Sequence, residues 1–189
     1  MGDEVPHELV ESLEATAREF RRDVIRAAVA TGQRPPAGSL SVADLLSVLV
    51  AHEIRADPDH PDGPDRDRLV LSRSDAAAAL RPALIHQGFV ARDALRPPEG
   101  RAPPSPDPRD GFELGLGTAV GLALDARLDR RGTRVYAVAG DGECQNGGTW
   151  EALLAAGHYR LENLVVVFDR NEFEADGATE TLLGIEPLV

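Results

Sequence analysis

The chain contains no lysine, one cysteine and very few aromatic residues. Arginine is therefore its only strongly basic side chain, which excludes a Schiff-base lysine as a nucleophile. The single cysteine, Cys144, excludes an internal disulfide and fits a reducing cytoplasm, where we expect the protein to act. No apolar run approaches the length of a membrane span, so we expect no membrane partner. The acidic, amphipathic start of the chain does not resemble a signal peptide.

The charge balance is acidic, with a net charge of −12 over 189 residues. Such a surface repels a phosphate backbone, so we expect no nucleic-acid partner. The hydrophobic content of 42% and the charged content of 28% are typical of a soluble globular protein. We expect one domain over residues 1–189, because this length is enough to bury a core.

Strand-like and helix-like segments alternate along the chain. Apolar residues at helical spacing predict a helix over residues 7–31, and the stretch SVAD at 41–44 resembles a capping box that opens another. Apolar runs at Val135–Ala139 and Leu164–Phe168 predict buried strands, with a helix at Thr149–Tyr159 between them. This order predicts an α/β fold, namely a doubly wound, mainly parallel sheet with helices on both faces.

Polar residues follow each of these two predicted strands. The sequence Gly140-Asp141-Gly142-Glu143 follows the first, and Asn171 follows the second, thirty positions after Asp141. Both strand ends of a parallel βαβ unit lie at one edge of the sheet. Carboxylate and amide oxygens suit Mg²⁺ or Ca²⁺, and glycines let backbone N–H groups approach an anion. The pattern predicts a cation that bridges the protein to a diphosphate.

Structural interpretations of the same residues remain open. Asp141 and Asn171 are both common turn residues, and Glu143 could cap the following helix. His158 lies near a helix end, where a positive charge is favourable, and we interpret it as structural. Nothing marks Cys144 as an activated thiol. A nucleotide-binding domain is disfavoured, because the chain has neither G-x-G-x-x-G after its first strand nor G-x-x-x-x-G-K-[ST].

A GDG followed about thirty residues later by Asn resembles the thiamine diphosphate motif, in particular that of the transketolase family. The resemblance covers nearly the whole chain, from about Leu13 to Val189. It is carried by the stretches GSLS-x-AD at 38–44, PDRDRLVLS at 64–72, WEA at 150–152, GHY at 157–159 and DGATE at 176–180.

The resemblance implies thiamine diphosphate and Mg²⁺ (or Ca²⁺) as cofactors. The implied metal ligands are Asp141, Asn171 and the main-chain carbonyl of Phe173. The implied cofactor-binding residues are Gly140, Asp141, Gly142, Glu143 and Asn171. It assigns no catalytic residue in this chain.

The resemblance also implies a missing partner. The family needs a pyrimidine-binding domain whose Glu activates the cofactor, and none fits in 189 residues. The chain also stops before the family's diphosphate domain usually ends. We therefore expect the N-terminal, diphosphate-binding subunit of a split transketolase-like transferase, active only as a hetero-oligomer with a second subunit. The implied reaction transfers a two-carbon ketol or acyl unit, and we expect a specialised, natural-product pathway.

Several positions depart from the family's pattern. Pro35 and Asp75 stand where the family carries histidines that are implied to contact substrate and diphosphate. The family's TGSLGQG loop is reduced to the sequence at 111–117, and a proline-rich loop at 96–110 replaces another histidine-containing stretch. Asn146 replaces a Glu that is implied to link paired active sites.

These departures leave a second hypothesis open. The chain could be a degenerate, non-catalytic subunit that stabilises a transketolase-like partner. Retention of both Asp141 and Asn171 opposes it, because a purely structural subunit does not need that pair.

Overall fold

The computed structural model describes two compact units. The described residues are 5–32, 37–72, 76–92, 115–174 and 177–188. A helical unit takes its residues from the described parts of 5–61 and 76–92, and a sheet unit takes those of 62–72 and 115–188. One domain over residues 1–189 stays a prediction.

The described part of the helical unit contains four α-helices. They are α1 (His7–Thr31), α2 (Ala37–Ser41), α3 (Ala43–Val48) and α4 (Ala77–His86), and α3 continues into a π-helical turn at Leu49–Glu53. The helix predicted over residues 7–31 is confirmed. Its buried face packs against α3 and α4 and follows the helical spacing of its apolar residues, Ala17, Phe20, Val24 and Ala28.

The predicted capping box at 41–44 is wrong. Ser41 is the last residue of α2, and its hydroxyl donates to the carbonyl of Gly38 at 3.0 Å. Val42 precedes α3 and offers no side-chain cap. Because α2 is already helical, Ser41 has a carbonyl within reach in the preceding turn and bonds there instead. Asp44 pairs with Arg21 of α1.

The sheet unit confirms the predicted α/β fold with its parallel sheet. Its strands β1 (Arg68–Leu71), β2 (Val135–Gly140) and β3 (Leu164–Asp169) are parallel and lie in the order β1-β2-β3. Helix α5 (Gly115–Leu128) precedes β2, and α6 (Gly147–Tyr159) connects β2 to β3. Every residue of β2 is buried, as in a parallel sheet covered on both faces.

The core of the sheet unit lies between the sheet, α5 and α6. These helices contact each other, and α5 contacts all three strands. Small residues on α5 let this helix approach the strands closely, and α6 packs against α5. The cluster is formed by Val70, Leu116, Ala119, Val120, Ala123, Val135, Ala137, Ala152 and Leu161.

Short elements surround the carboxyl ends of β2 and β3. A 3-10 turn at Gly142–Gln145 follows β2, and an antiparallel pair, β4 (Phe173–Glu174) and β5 (Gly177–Ala178), follows β3. Helix α7 (Thr179–Leu182) comes directly after β5. Among the helices described here, none is both long and apolar enough to cross a membrane.

Candidate functional site

The two polar turns lie side by side in the sheet. Gly140, the last residue of β2, is paired in register with Asp169, the last residue of β3. Asp141 and Asn171 follow these residues directly, one and two positions later. The predicted placement of both turns at one edge of the sheet is therefore observed.

Asp141 is a deeply buried carboxylate, only 2% exposed. Its Oδ2 accepts three hydrogen bonds: from Arg170 Nη1 at 3.1 Å, from the Glu172 N–H at 2.8 Å and from the Thr179 hydroxyl at 2.9 Å. A buried carboxylate is costly unless it is paired and hydrogen-bonded. Here one charged and two neutral donors meet that requirement.

Glu172 adopts a backbone conformation that suits this cluster. Its φ of 66° lies in the left-handed region, which is unusual for a residue with a side chain. Its N–H donates to Asp141, and its carbonyl accepts from the N–H of Thr179 at 3.1 Å. Backbone strain of this kind is often found at functional sites. The two hydrogen bonds of Glu172 connect the turn after β3 to Asp141, which follows β2, and to α7.

Asn171 and Phe173 lie together at the start of β4. The side-chain oxygen of Asn171 accepts from the Phe173 N–H at 3.1 Å. Phe173 is paired in register with Ala178 of β5. The two residues after β3 that the resemblance implies as cation ligands are therefore joined by a hydrogen bond.

The glycine-rich turn is closed by its own side chains. Glu143 does not cap α6, because its carboxylate accepts from the Gly140 N–H. The cap is Asn146, whose side-chain oxygen accepts from the Gly148 N–H at 3.0 Å. The Thr149 hydroxyl donates to the Glu143 carbonyl at 2.7 Å. Asn146, which departs from the family's pattern, thus has a structural role here.

Arg170 is a residue of the site that the sequence did not indicate. Its three guanidinium nitrogens contact three different carboxylates: Nη1 contacts Asp141 at 3.1 Å, Nη2 contacts Glu180 at 3.0 Å and Nε contacts Glu186 at 3.1 Å. These interactions raise the pKa of Arg170, with the hydrogen bond to Glu186 as the largest cause. Its position between Asp169 and Asn171 was the one signal that could have identified it.

Cys144 and His158 fit the structural interpretation. Burial raises the pKa of the Cys144 thiol, and the carboxylates of Asp141 and Glu143 raise it further. A thiol in such surroundings is not an activated nucleophile. His158 lies in the last turn of α6 and packs edge-to-face against Tyr159, with ring centroids 4.9 Å apart.

The donor set fits a hard divalent cation better than a zinc ion. Within the ranges the structure describes, no three His, Cys, Asp or Glu side chains are grouped as a metal centre. Asp141 and Asn171 supply oxygen donors, which Mg²⁺ and Ca²⁺ prefer. Among the described residues, all three hydrogen bonds to the Asp141 carboxylate go to Oδ2, so Oδ1 is the oxygen suited to a cation.

The departures from the family's pattern lie mostly outside the described residues. This applies to Pro35, Asp75, the proline-rich loop at 96–110 and the first four residues of the 111–117 stretch. The last three residues of that stretch open α5.

Comparison with known proteins identifies the family. Residues 115–185 match the model of the family described as "Transketolase, thiamine diphosphate binding domain". The transketolase family protein y4mO of Sinorhizobium fredii is 38% identical over 94% of this chain and 68% of its own length. The 6-deoxy-6-sulfo-D-fructose transketolase subunit SqwG of a Clostridium species is 36% identical over 80% of this chain and 59% of its own length.

Solved structures agree with this assignment. Transketolase from Campylobacter jejuni superposes with a TM-score of 0.77 at 26% identity, over 97% of this chain. The chain spans 31% of the length of that protein. Agreement in sequence and structure over almost all of its residues shows that the chain belongs to the transketolase family, of which it matches the thiamine diphosphate binding domain.

Proposed function

We propose that this chain binds the diphosphate of thiamine diphosphate through a divalent cation held by Asp141, Asn171 and the main-chain carbonyl of Phe173. The observation that carries the proposal is the buried Asp141 carboxylate beside the turn that contains Asn171, at paired strand ends. The glycine-rich turn from Gly140 to Glu143 would supply N–H groups to the diphosphate from the residues after Gly140, whose own N–H donates to Glu143.

Two details of the strand ends support the cation site. Oδ1 of Asp141 takes no part in the three hydrogen bonds described for that carboxylate, which all go to Oδ2. The hydrogen bond from the Phe173 N–H to the Asn171 side-chain oxygen keeps these two residues together. A carboxylate, an amide and a main-chain carbonyl form an oxygen set that suits Mg²⁺ or Ca²⁺.

The chemistry that follows belongs to the cofactor, whose thiazolium ring supplies the carbanion when it is bound. The residues of this chain hold and orient the diphosphate end. The proposed reaction is transfer of a two-carbon ketol or acyl unit in a specialised, natural-product pathway. The single cysteine, Cys144, is free and buried, which is consistent with the proposed cytoplasmic location.

We propose further that activity requires a second transketolase-like subunit that carries the pyrimidine-binding domain. SqwG is named a transketolase subunit, and this chain spans only part of the length of full transketolases. The sheet unit also exposes large apolar side chains of the kind that interfaces cover. They include Trp150, Leu154, Tyr159, Phe173, Leu182 and Leu183.

A competition experiment tests the diphosphate-side assignment. With Mg²⁺ present, the chain should bind thiamine diphosphate weakly, and inorganic diphosphate should displace it, whereas thiamine should neither bind nor compete. Addition of the partner subunit should tighten the binding and produce turnover. Equal binding of thiamine and thiamine diphosphate, or full activity of the chain as a monomer in sedimentation and assay, would contradict the proposal.

The alternative, a degenerate subunit that only stabilises a partner, is favoured by one observation. Arg170 already pairs with Asp141, so a protein group can neutralise this buried carboxylate without a cation. A complex in which Asp141→Ala leaves cofactor binding and turnover unchanged would establish this alternative.

The absence of the two family histidines, at Pro35 and Asp75, affects which substrate we expect the complex to use. A ketol transfer between sugar phosphates uses groups that hold hydroxyls and move protons near neutral pH, which suits histidine and not Pro35. We therefore expect the complex to use xylulose 5-phosphate poorly and to prefer another donor or a carrier-bound acceptor. A donor panel on the reconstituted complex, with an Asp75→His variant beside it, measures this preference. Efficient turnover of xylulose 5-phosphate by the unmodified complex would contradict it.

A further inference from the structure

The Asp141 carboxylate has one fully charged partner among the described residues. Its other two donors, the Glu172 N–H and the Thr179 hydroxyl, are neutral. The carboxylate is almost completely buried, so its charge must be neutralised nearby. In this structure Arg170 does so.

Arg170 divides its contacts between the interior and the surface. Asp141 lies inside, whereas the Glu180 and Glu186 carboxylates are 45% and 51% exposed. The planar guanidinium places its three nitrogens in fixed directions, so one side chain serves all three carboxylates at once. If the contact with Asp141 is lost, two charged partners still hold the side chain.

The charges of this cluster do not balance. Among the described residues of this cluster, one guanidinium faces three carboxylates, so its single positive charge leaves an excess of negative charge. A divalent cation at Asp141 would remove that excess. It would also repel the guanidinium from the same carboxylate, because like charges at short range in a partly buried site repel strongly.

We propose that Arg170 is an internal counter-cation that competes with the divalent cation for Asp141, and that cation binding shifts Arg170 onto Glu180 and Glu186. The inference rests on the proposed cation site. It makes Arg170 a positioning residue: without the cation it stabilises the buried carboxylate, and with the cation it joins the segment from Glu180 to Glu186 to the edge of the site.

The test measures cation binding instead of turnover. Mn²⁺ is titrated into the full chain with thiamine diphosphate present and followed by electron paramagnetic resonance, and thermal unfolding is recorded with and without Mn²⁺. Arg170→Gln removes the competing charge and should tighten Mn²⁺ binding about tenfold, within the range usual for coupled sites. Arg170→Lys keeps the charge and should not tighten it. Arg18→Gln, an equal charge change on the exposed surface of α1, is the matched control.

Thermal unfolding gives a second readout of the same competition. Without Mn²⁺, Arg170→Gln should unfold at a lower temperature than the wild type, because Asp141 is then buried without a charged partner. Mn²⁺ should narrow that difference. A residue with a purely structural role would show the same difference with and without Mn²⁺.

Removal of the Glu180 or Glu186 carboxylate should have the opposite effect on Mn²⁺ binding to that of Arg170→Gln. Glu180→Gln and Glu186→Gln remove partners that can hold Arg170 after it leaves Asp141, so each should weaken Mn²⁺ binding. If they act through Arg170, their effects should shrink when combined with Arg170→Gln, and a double-mutant cycle measures this coupling. Effects that remain equal in both backgrounds would show simple long-range attraction and overturn the inference.

Asp141→Asn and Asn171→Ala separate failure of this inference from failure of the proposed site. If they lose Mn²⁺ binding while Arg170→Gln weakens or does not change it, the cation site stands and the competition is wrong. If they bind Mn²⁺ as the wild type does, the cation lies elsewhere and both proposals are wrong. Loss of binding in these variants together with tighter binding in Arg170→Gln supports both.

Discussion

The two units each contain an arginine–aspartate pair, and the two pairs differ in burial. In the helical unit, Arg21 donates to both oxygens of Asp44, whose side chain is 66% exposed. In the sheet unit, Arg170 contacts an Asp141 that is 2% exposed. The same two functional groups therefore meet in water in the Arg21–Asp44 pair and away from water in the Arg170–Asp141 pair.

The difference in burial changes how much each pair contributes to the stability of the fold. An exposed pair is screened by solvent and contributes about 1 kcal/mol or less. A buried pair has lost its hydration, so removal of one partner strands the other, at a cost of about 3–5 kcal/mol. Both aspartates lie in stretches that resemble transketolase motifs, GSLS-x-AD and GDG, yet only Asp141 has an environment that a cation could exploit.

The largest difference between the two pairs is expected in the free energy of unfolding when each aspartate is replaced by alanine. Asp141→Ala should lower the free energy of unfolding by about 3 kcal/mol, at the low end for a buried pair because Arg170 keeps two other carboxylates. Asp44→Ala should cost about 1 kcal/mol or less. Urea denaturation of both variants measures the two losses. Equal losses would show that burial does not distinguish the pairs.

A smaller loss of stability is expected when the Thr179 hydroxyl, which also donates to Asp141, is removed. Thr179→Val keeps the shape of a fully buried side chain but removes a hydrogen bond to a carboxylate, so we expect a loss of about 2 kcal/mol. In the helical unit, the Thr16 hydroxyl donates to the Ser12 carbonyl on an exposed helix face. Thr16→Val should change stability by about 0.5 kcal/mol or less. A neutral Thr179→Val would mean that Asp141 does not need this donor.

The turn that carries Asp141 also depends on the cap of α6. Asn146→Ala should cost about 1 kcal/mol, the usual value for loss of an N-cap, and Asn146→Asp should preserve stability because it keeps an acceptor. Thermal or urea unfolding measures both variants. Identical losses in the two would remove capping as the explanation for this residue.

The smallest expected effect is the pH dependence of the stability that Asp44 contributes to the helical unit. The hydrogen bond from Arg21 lowers the pKa of Asp44 below its usual range. A carboxyl with a lowered folded-state pKa stabilises the fold above its unfolded pKa of about 3.9, and that contribution disappears as pH falls through the folded value. Asp44→Asn should therefore be slightly less stable than the wild type at neutral pH, and this gap should close in acid. A gap that persists in acid, where this carboxyl is protonated in both the folded and the unfolded state, would contradict this account.

Much of the sheet unit could be predicted because its signals are local. The apolar runs, the glycines after β2 and the thirty-residue spacing placed Asp141 and Asn171 at one edge of the sheet. The partners of Asp141 could not be predicted in the same way. Arg170 and Thr179 lie 29 and 38 positions away and reach the carboxylate only through tertiary folding.

The predictions that failed depended on a choice between two nearby hydrogen-bond partners. Ser41 was expected to cap a following helix, but the start of α2 gave it a carbonyl in the preceding turn. Glu143 could have capped α6, but it folds back to Gly140 and leaves that role to Asn146. Such choices depend on where a helix begins, which local residue patterns determine only to within a few positions.

We propose that the buried Asp141, and not the exposed Asp44, serves the cofactor. Calorimetry of thiamine diphosphate binding with Mg²⁺ to the assembled complex, using the wild type, Asp141→Asn and Asp44→Asn, tests it most directly. The prediction is that Asp141→Asn loses Mg²⁺-dependent binding while Asp44→Asn binds as the wild type does. Unchanged affinity in Asp141→Asn would contradict the account.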